Sequence, residues 1–424
     1  MAGLRQEDPI PKRNAATRKR RIPPLPPASL RSFEGARILD EVAGELGYFL
    51  FQRLRDISLA TATDPRLRAQ LFSPNRERAP CCSDLVDGEP LQPSLEVLLG
   101  VVQHPDALVP GIVAGACARV SQWAGDRALY HTAYEYAALA AETCLTDPLL
   151  CVAAGRIARK QARYEHARQW FRRAAGLARA GREWSAGGVT FISWAALELQ
   201  LGRLDNAQAL LMRAWRLARR HDLRHLAARA RHDLLQIAID REDWTEAEEH
   251  ASAAFDLYKK NAPNLVALAH DWAYVWLCQC YFSVALPVFE AVRPHLKVPN
   301  ERILVLASIA RCAGALGDHA RFEDAAEAML QIANLTSENT AAALVNGAEG
   351  ALSLRRVEQA RSLAERSLQL ARGRSESLVA TAAADLLARI NRQGRADRNE
   401  EPAPERGLSE TAARLIARVR AIAS

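Results

Sequence analysis

Aromatic residues are scarce in this 424-residue chain, at 6%, and no stretch approaches 18 uninterrupted apolar positions. The first shortage excludes sandwiches and barrels, whose strands draw on aromatic and β-branched side chains. The second leaves no candidate membrane-spanning helix. The N-terminus is basic and then proline-rich where a secretory leader would need an apolar core, so a cytoplasmic protein is expected. Eight cysteines are too few for a disulfide framework: Cys81 and Cys82 are adjacent, one residue separates Cys278 from Cys280, and no Cys-x-x-Cys knuckle occurs. Reduced thiols and no metal are expected. Also missing are a Gly-x-Ser-x-Gly elbow, a phosphate loop and a dinucleotide fingerprint, so no catalytic residue or cofactor is assigned and an enzyme is not expected.

What is abundant is alanine, leucine and arginine, strong helix formers. The net charge of +7 is uneven. Residues 1–30 hold Arg5, Lys12, Arg13, Arg18, Lys19, Arg20 and Arg21 against Glu7 and Asp8, so the rest of the chain is nearly neutral. This arm, ending in Pro23-Pro24-Leu25-Pro26-Pro27, lacks apolar periodicity and is expected to be disordered. Nucleic acid, if bound, would be bound through its basic residues. From Phe33 to Ala60 apolar residues recur every three or four positions and predict one long amphipathic helix, with Ser32 as its cap. Five prolines break residues 61–93, and helix resumes at Ser94. Residues 31–110 thus form a partly irregular helical segment.

Internal repeats follow. In the stretch from Ala162 to Ala174, Ala167, Phe171 and Ala174 mark one helix face, with Gly155 on the preceding helix. Equivalent alanines stand at Ala133, Ala207, Ala247, Ala285, Ala325 and Ala360, at spacings of 34, 40, 40, 38, 40 and 35 residues. Val292 and Ser367 replace the last alanine of two copies, and Pro287 enters the second helix of one. This pattern resembles the tetratricopeptide repeat. Its near-40-residue period is similar to the helical-repeat domains of maltose-regulator-type bacterial transcription activators. The resemblance covers residues 111–392 and implies an all-α fold, an α-solenoid of about seven helical hairpins forming a right-handed superhelix. Residues 393–407 read as a polar linker. Residues 408–424, with Leu415, Ile416, Val419 and Ile422 on one stripe, read as an amphipathic helix able to close the end of the array.

The resemblance also implies that set positions of each first helix line a concave groove. Here they are Leu149, Val152, Arg156, Arg159 and Lys160; Arg229, His232, Gln236 and Ile239; and Ala267, His270, Tyr274 and Leu277. Such a basic groove suits an acidic peptide or a terminal carboxylate. A non-catalytic scaffold, adaptor or regulatory sensor for another protein or peptide is therefore expected. The alternative is a transcription-regulatory module that contacts nucleic acid through Lys12, Arg13, Arg18, Lys19, Arg20 and Arg21; single-stranded RNA binding by the hairpins fits the neutral body less well. His221 and His225 lie four apart on an expected helix, a metal-compatible spacing without the carboxylate of a His-Glu-x-x-His motif. The eight tryptophans read mostly as repeat core, with one or two of Trp272, Tyr274 and Trp276 reaching the groove.

Overall fold

The computed structural model describes residues 22–25, 37–64, 67, 91–105, 109–258, 264–334, 339–374, 376–393 and 406–422, and all regular structure among them is helical. Two compact units divide the chain, Met1–Leu201 and Gly202–Ser424. Lys12–Arg21 and the linker residues 394–405 lie outside the described residues, as does Ser32.

The first unit contains α1 (Ile38–Glu41), α2 (Gly44–Ala62), α3 (Gln92–Gln103), α4 (Pro110–Asp126), α5 (Tyr130–Thr143), α6 (Pro148–Lys160), α7 (Tyr164–Ala180) and α8 (Trp184–Gln200). The single helix expected over Phe33–Ala60 is two. Gly44 takes φ +72°, and the Val42 carbonyl lies where a Cβ on Gly47 would stand, so the chain turns between α1 and α2. α3 starts at Gln92, two residues early, because Pro93 fits a first helical turn. Glu41 then ties this segment to the hairpins. Its carboxylate accepts the His131 and Thr132 backbone N–H groups at 2.9 and 2.8 Å, filling donors that the α5 N-terminus leaves open. Tyr136 donates to the Leu50 carbonyl at 2.8 Å in the core beneath.

Part of the arm is ordered. Residues 22–25 run extended against α7, with Arg173 Nη1 donating to the Pro23 carbonyl at 2.7 Å and Leu25 packed on the core cluster below. A proline-rich segment is already extended in the unfolded chain, so little entropy opposes this docking.

The second unit contains α9 (Leu204–Arg220), α10 (Arg224–Asp240), α11 (Trp244–Leu257), α12 (Asn264–Cys278), α13 (Phe282–Val292), α14 (Pro299–Leu316), α15 (His319–Ala333), α16 (Thr340–Ser353), α17 (Val357–Gly373), α18 (Ser377–Gln393) and α19 (Arg406–Arg420). The hairpin pairs α10–α11, α14–α15 and α16–α17 pack tightly. All seven anchor alanines are fully buried. Where Gly155 stands, a Cβ would come within 2.6 Å of the Phe171 ring, so glycine there is a packing requirement. Pro287 lies inside the short α13, which gives way to a 3₁₀ turn at Arg293–His295.

One turn explains the longer period. Helices α7 to α10 each have 17 residues, and three-residue turns join them, so two helices with their turns make 40. At each turn one residue is left-handed: Ala162, Arg182, Gly202, Asp222 and Glu242 have φ from +52° to +68°. The accompanying bonds, such as Arg163 N–H to Ala158 O and Ala162 N–H to Arg159 O, form a Schellman motif. The same turn breaks the chain after His221, so His221 and His225 do not share a helix. Among the described residues no group of three potential ligands could hold a metal.

Helix α19 packs chiefly on α13 and α12, in the middle of the unit's hairpins rather than as a closing layer on α18. Its Ala412, Leu415 and Val419 enter the core that also contains Phe255, Trp272 and Phe289.

Candidate functional site

In the first unit α6 and α8 lie side by side, and the positions counted as groove-lining fall along α6. Arg156 and Lys160 are one turn apart, with Arg159 between them, so the three cations share a helix face. Arg156 Nε donates to the Ser193 hydroxyl at 2.9 Å, and Arg159 Nη1 donates to the Gln200 amide oxygen at 2.9 Å. Lys160 Nζ stands 5.3 Å from the Tyr130 ring centroid. Among the described residues neither Arg159 nor Lys160 has a carboxylate within ion-pair distance. Arg159 is half-buried, which lowers its guanidinium pKa, and its Nε is buried with no acceptor among the described residues. Leu149 on the same helix is exposed, whereas Val152 is buried in the hairpin core and lines nothing.

In the second unit α10 and α12 lie side by side and converge on one carboxylate. His232 Nε2 lies 2.9 Å from Asp271 Oδ2, and His270 Nδ1 lies 2.9 Å from Asp271 Oδ1. The other ring nitrogen of His232 meets the Tyr258 hydroxyl at 3.3 Å. Burial pushes Asp271 upward, but hydrogen bonds to both imidazoles and their charges outweigh it and hold the carboxyl well below the usual range. Beside it Asp233 is raised by burial, against the charges of His232 and Arg229. Gln236 bonds Asp240 one turn on, at 3.0 Å. Tyr274 is half-buried, its hydroxyl pushed up to about 12 by burial and then by neighbouring Cys278. Ala267 is exposed and Leu277 buried.

No family model and no curated protein matches the chain. Solved structures do. A signal-transduction ATPase with numerous domains and a tetratricopeptide-repeat sensor, from Pyrococcus horikoshii, superposes with a TM-score of 0.50 at 11% identity, over 92% of this chain and 64% of that one. This is a tetratricopeptide-type helical-repeat fold. BtubC from P. vanneervenii aligns over 52% of this chain and 90% of its own, at 16% identity and TM-score 0.41. A Rap protein complexed with competence and sporulation factor aligns over 85% and 98%, at 10% identity and TM-score 0.43.

Within the tetratricopeptide-type array, several polar residues that matter were not among the counted positions. Asp271 is the acceptor both histidines share, yet it stands one residue past His270 and so off the counted register. Glu248 on α11 accepts from Trp272 Nε1 and Trp276 Nε1 at 2.6 and 2.5 Å, and burial raises its pKa despite those bonds. Both indoles are therefore core, which leaves half-buried Tyr274 as the one of the three that can face the groove. In the first unit Glu198, nearly fully buried, takes Arg168 and the Trp194 indole. His250 is buried between Arg231 and Glu246. Burial first and the Arg231 charge second lower its pKa, so it is held neutral. Among the described residues no helix is long and apolar enough to cross a membrane.

Proposed function

We propose that the chain is a non-catalytic adaptor that binds a protein or peptide along its first helices, with a ligand carboxylate taken by Arg159 and Lys160 and positioned by Arg156. The observation that supports this most is the state of those cations. Arg159 is half-buried, spends one donor on a neutral amide and, among the described residues, holds Nε without an acceptor and has no carboxylate within ion-pair distance. A guanidinium so placed is set to gain from a carboxylate, and its fork geometry favours two parallel bonds. Arg229, His232, Gln236, His270 and Tyr274 belong to the second unit. There His232 and His270 are both bonded to Asp271, so they would offer shape and hydrogen bonds to the ligand.

The test is fluorescence anisotropy of the full chain with a library of acidic peptides in free-acid and amidated forms. Preference for the free acid should appear, and Arg159→Ala with Lys160→Ala should weaken it by roughly 1–3 kcal/mol. Unchanged affinity in that variant would remove the carboxylate from the reading. A steep salt dependence with oligonucleotides, lost on deleting residues 1–21, would instead favour the transcription-regulatory alternative through Lys12, Arg13, Arg18, Lys19, Arg20 and Arg21.

A further inference from the structure

Helix α19 is held by a different chemistry from the helices of the hairpins. Those stack through buried alanines and large apolar side chains, whereas α19 is fixed at its polar edge by two arginines one turn apart. Arg418 Nη1 donates to the Phe255 carbonyl and Nη2 to the Tyr258 carbonyl, each at 2.6 Å. The guanidinium groups of Arg418 and Arg414 stand 4.2 and 5.5 Å from the Phe255 ring centroid, and Arg414 lies 3.9 Å from Asp256. The end of a helix leaves carbonyls without intrahelical partners, and here the end of α11 presents two of them to a cation. An aromatic face supplies the rest of the cradle.

Among the described residues of α19, Ala412, Leu415 and Val419 are buried and Leu408 and Ile416 pack half-buried beside them, while Ala413, Arg414, Ala417 and Arg420 are exposed. The segment that connects it to α18, residues 394–405, is rich in charge and contains Pro402 and Pro404, a composition suited to a tether. The receiving surface is complete without α19: the final turn of α11 and the flanks of α12 and α13 all come from the hairpins themselves.

We propose that this surface is a helix-binding site, that α19 is its resident and displaceable occupant, and that it accepts from a partner protein an amphipathic helix with a narrow apolar stripe and two arginines one turn apart. The site is separate from the carboxylate-binding face of α6 and does not depend on it. Binding in trans requires α19 to leave, so the C-terminal helix competes with the partner at high effective concentration.

The probe is a fluorescein-labelled peptide of residues 406–422, titrated by anisotropy into the full chain. Wild type should bind it weakly, because the site is filled. The full chain with Arg414→Glu and Arg418→Glu, whose own helix is weakened, should bind it at least tenfold more tightly, and a peptide with the same two changes should bind neither. A charge-reversed chain that keeps the wild-type circular dichroism and melting transition but binds the peptide no better than wild type would overturn the proposal. If the variant does not fold, hydrogen exchange of wild type decides. Amides of α19 should exchange at least tenfold faster than those of α12 and α13, and equal protection would make α19 a fixed part of the core and overturn the proposal.

Discussion

The polar side chains on the first helices of the two units stand at different counted positions, Arg159 and Lys160 late in their helix and His232 and His270 early in theirs, and they differ in their partners. On α6, Arg159 and Lys160 meet an amide oxygen and an aromatic ring and keep their charge. On α10 and α12, His232 and His270 are closed onto Asp271. A counted position therefore does not decide exposure: Val152 is buried where His232 and His270 are half-buried, and Leu277 is buried where Arg159 is half-buried. Availability is decided by one neighbour: Gln200 in the first unit, Asp271 in the second.

The largest effect should come from removing the internal acceptor. Asp271→Ala strips both imidazoles of their partner and is expected to cost about 1–3 kcal/mol in urea unfolding. Arg159→Ala should stay within about 0.5–1 kcal/mol, since only one neutral partner is lost. Equal losses would erase the distinction.

Acid titration sharpens it. Asp271 has a folded pKa below its unfolded value of about 3.9, so the stability it supplies is present at neutral pH and lost as pH falls below about 4. His250 is also lowered. Its contribution is complete above about pH 6.5 and is lost as acid protonates the unfolded chain first. Asp233 and Glu248, both raised, run the other way and regain stability as they protonate. Stability curves against pH should lose a limb that begins below about 6.5 in His250→Gln, and part of their limb below about 4 in Asp271→Ala. An unaltered limb in either variant would contradict its assignment.

A smaller change should convert one region into the other. Gln200→Glu places a carboxylate beside Arg159, and it should add about 0.3–1 kcal/mol of stability while weakening acidic-peptide binding several-fold. Smaller still, and equal in the two units, should be the effect of Arg182→Gly and Glu242→Gly. Each relieves a left-handed residue in the shared turn for a gain of about 0.5 kcal/mol in thermal melts. Unequal gains would mean that the turns differ as well as the side chains.

Much of the fold was legible because its determinants are local. Small residues at helical spacing disclosed the hairpins, and Gly202 and Gly317 marked two of the left-handed turns. At Ala128, Ala162, Arg182, Asp222, Glu242, Cys280 and Arg355 the left-handed residue is not glycine, so its conformation is imposed by the packing of the flanking helices. Register counting found His232 and His270 but passed over Asp271, since one residue along a helix is a rotation of about 100° and lands between counted positions. Arg418 and its carbonyls were beyond reach for another reason: nothing in the local pattern of α19 tells which distant helix end it will meet.

That distance has a kinetic meaning. Most contacts of the hairpins join neighbours in sequence, so they can form as the chain emerges from the ribosome, one hairpin upon the last. Arg418 and Phe255 are 163 residues apart, and their meeting closes the longest loop in the second unit's described hydrogen bonding. Loop-closure entropy makes this step dependent on the intervening hairpins already being in place. Helix α19 thus docks after the hairpins it joins, and until it does the two carbonyls at the end of α11 lack their guanidinium partner.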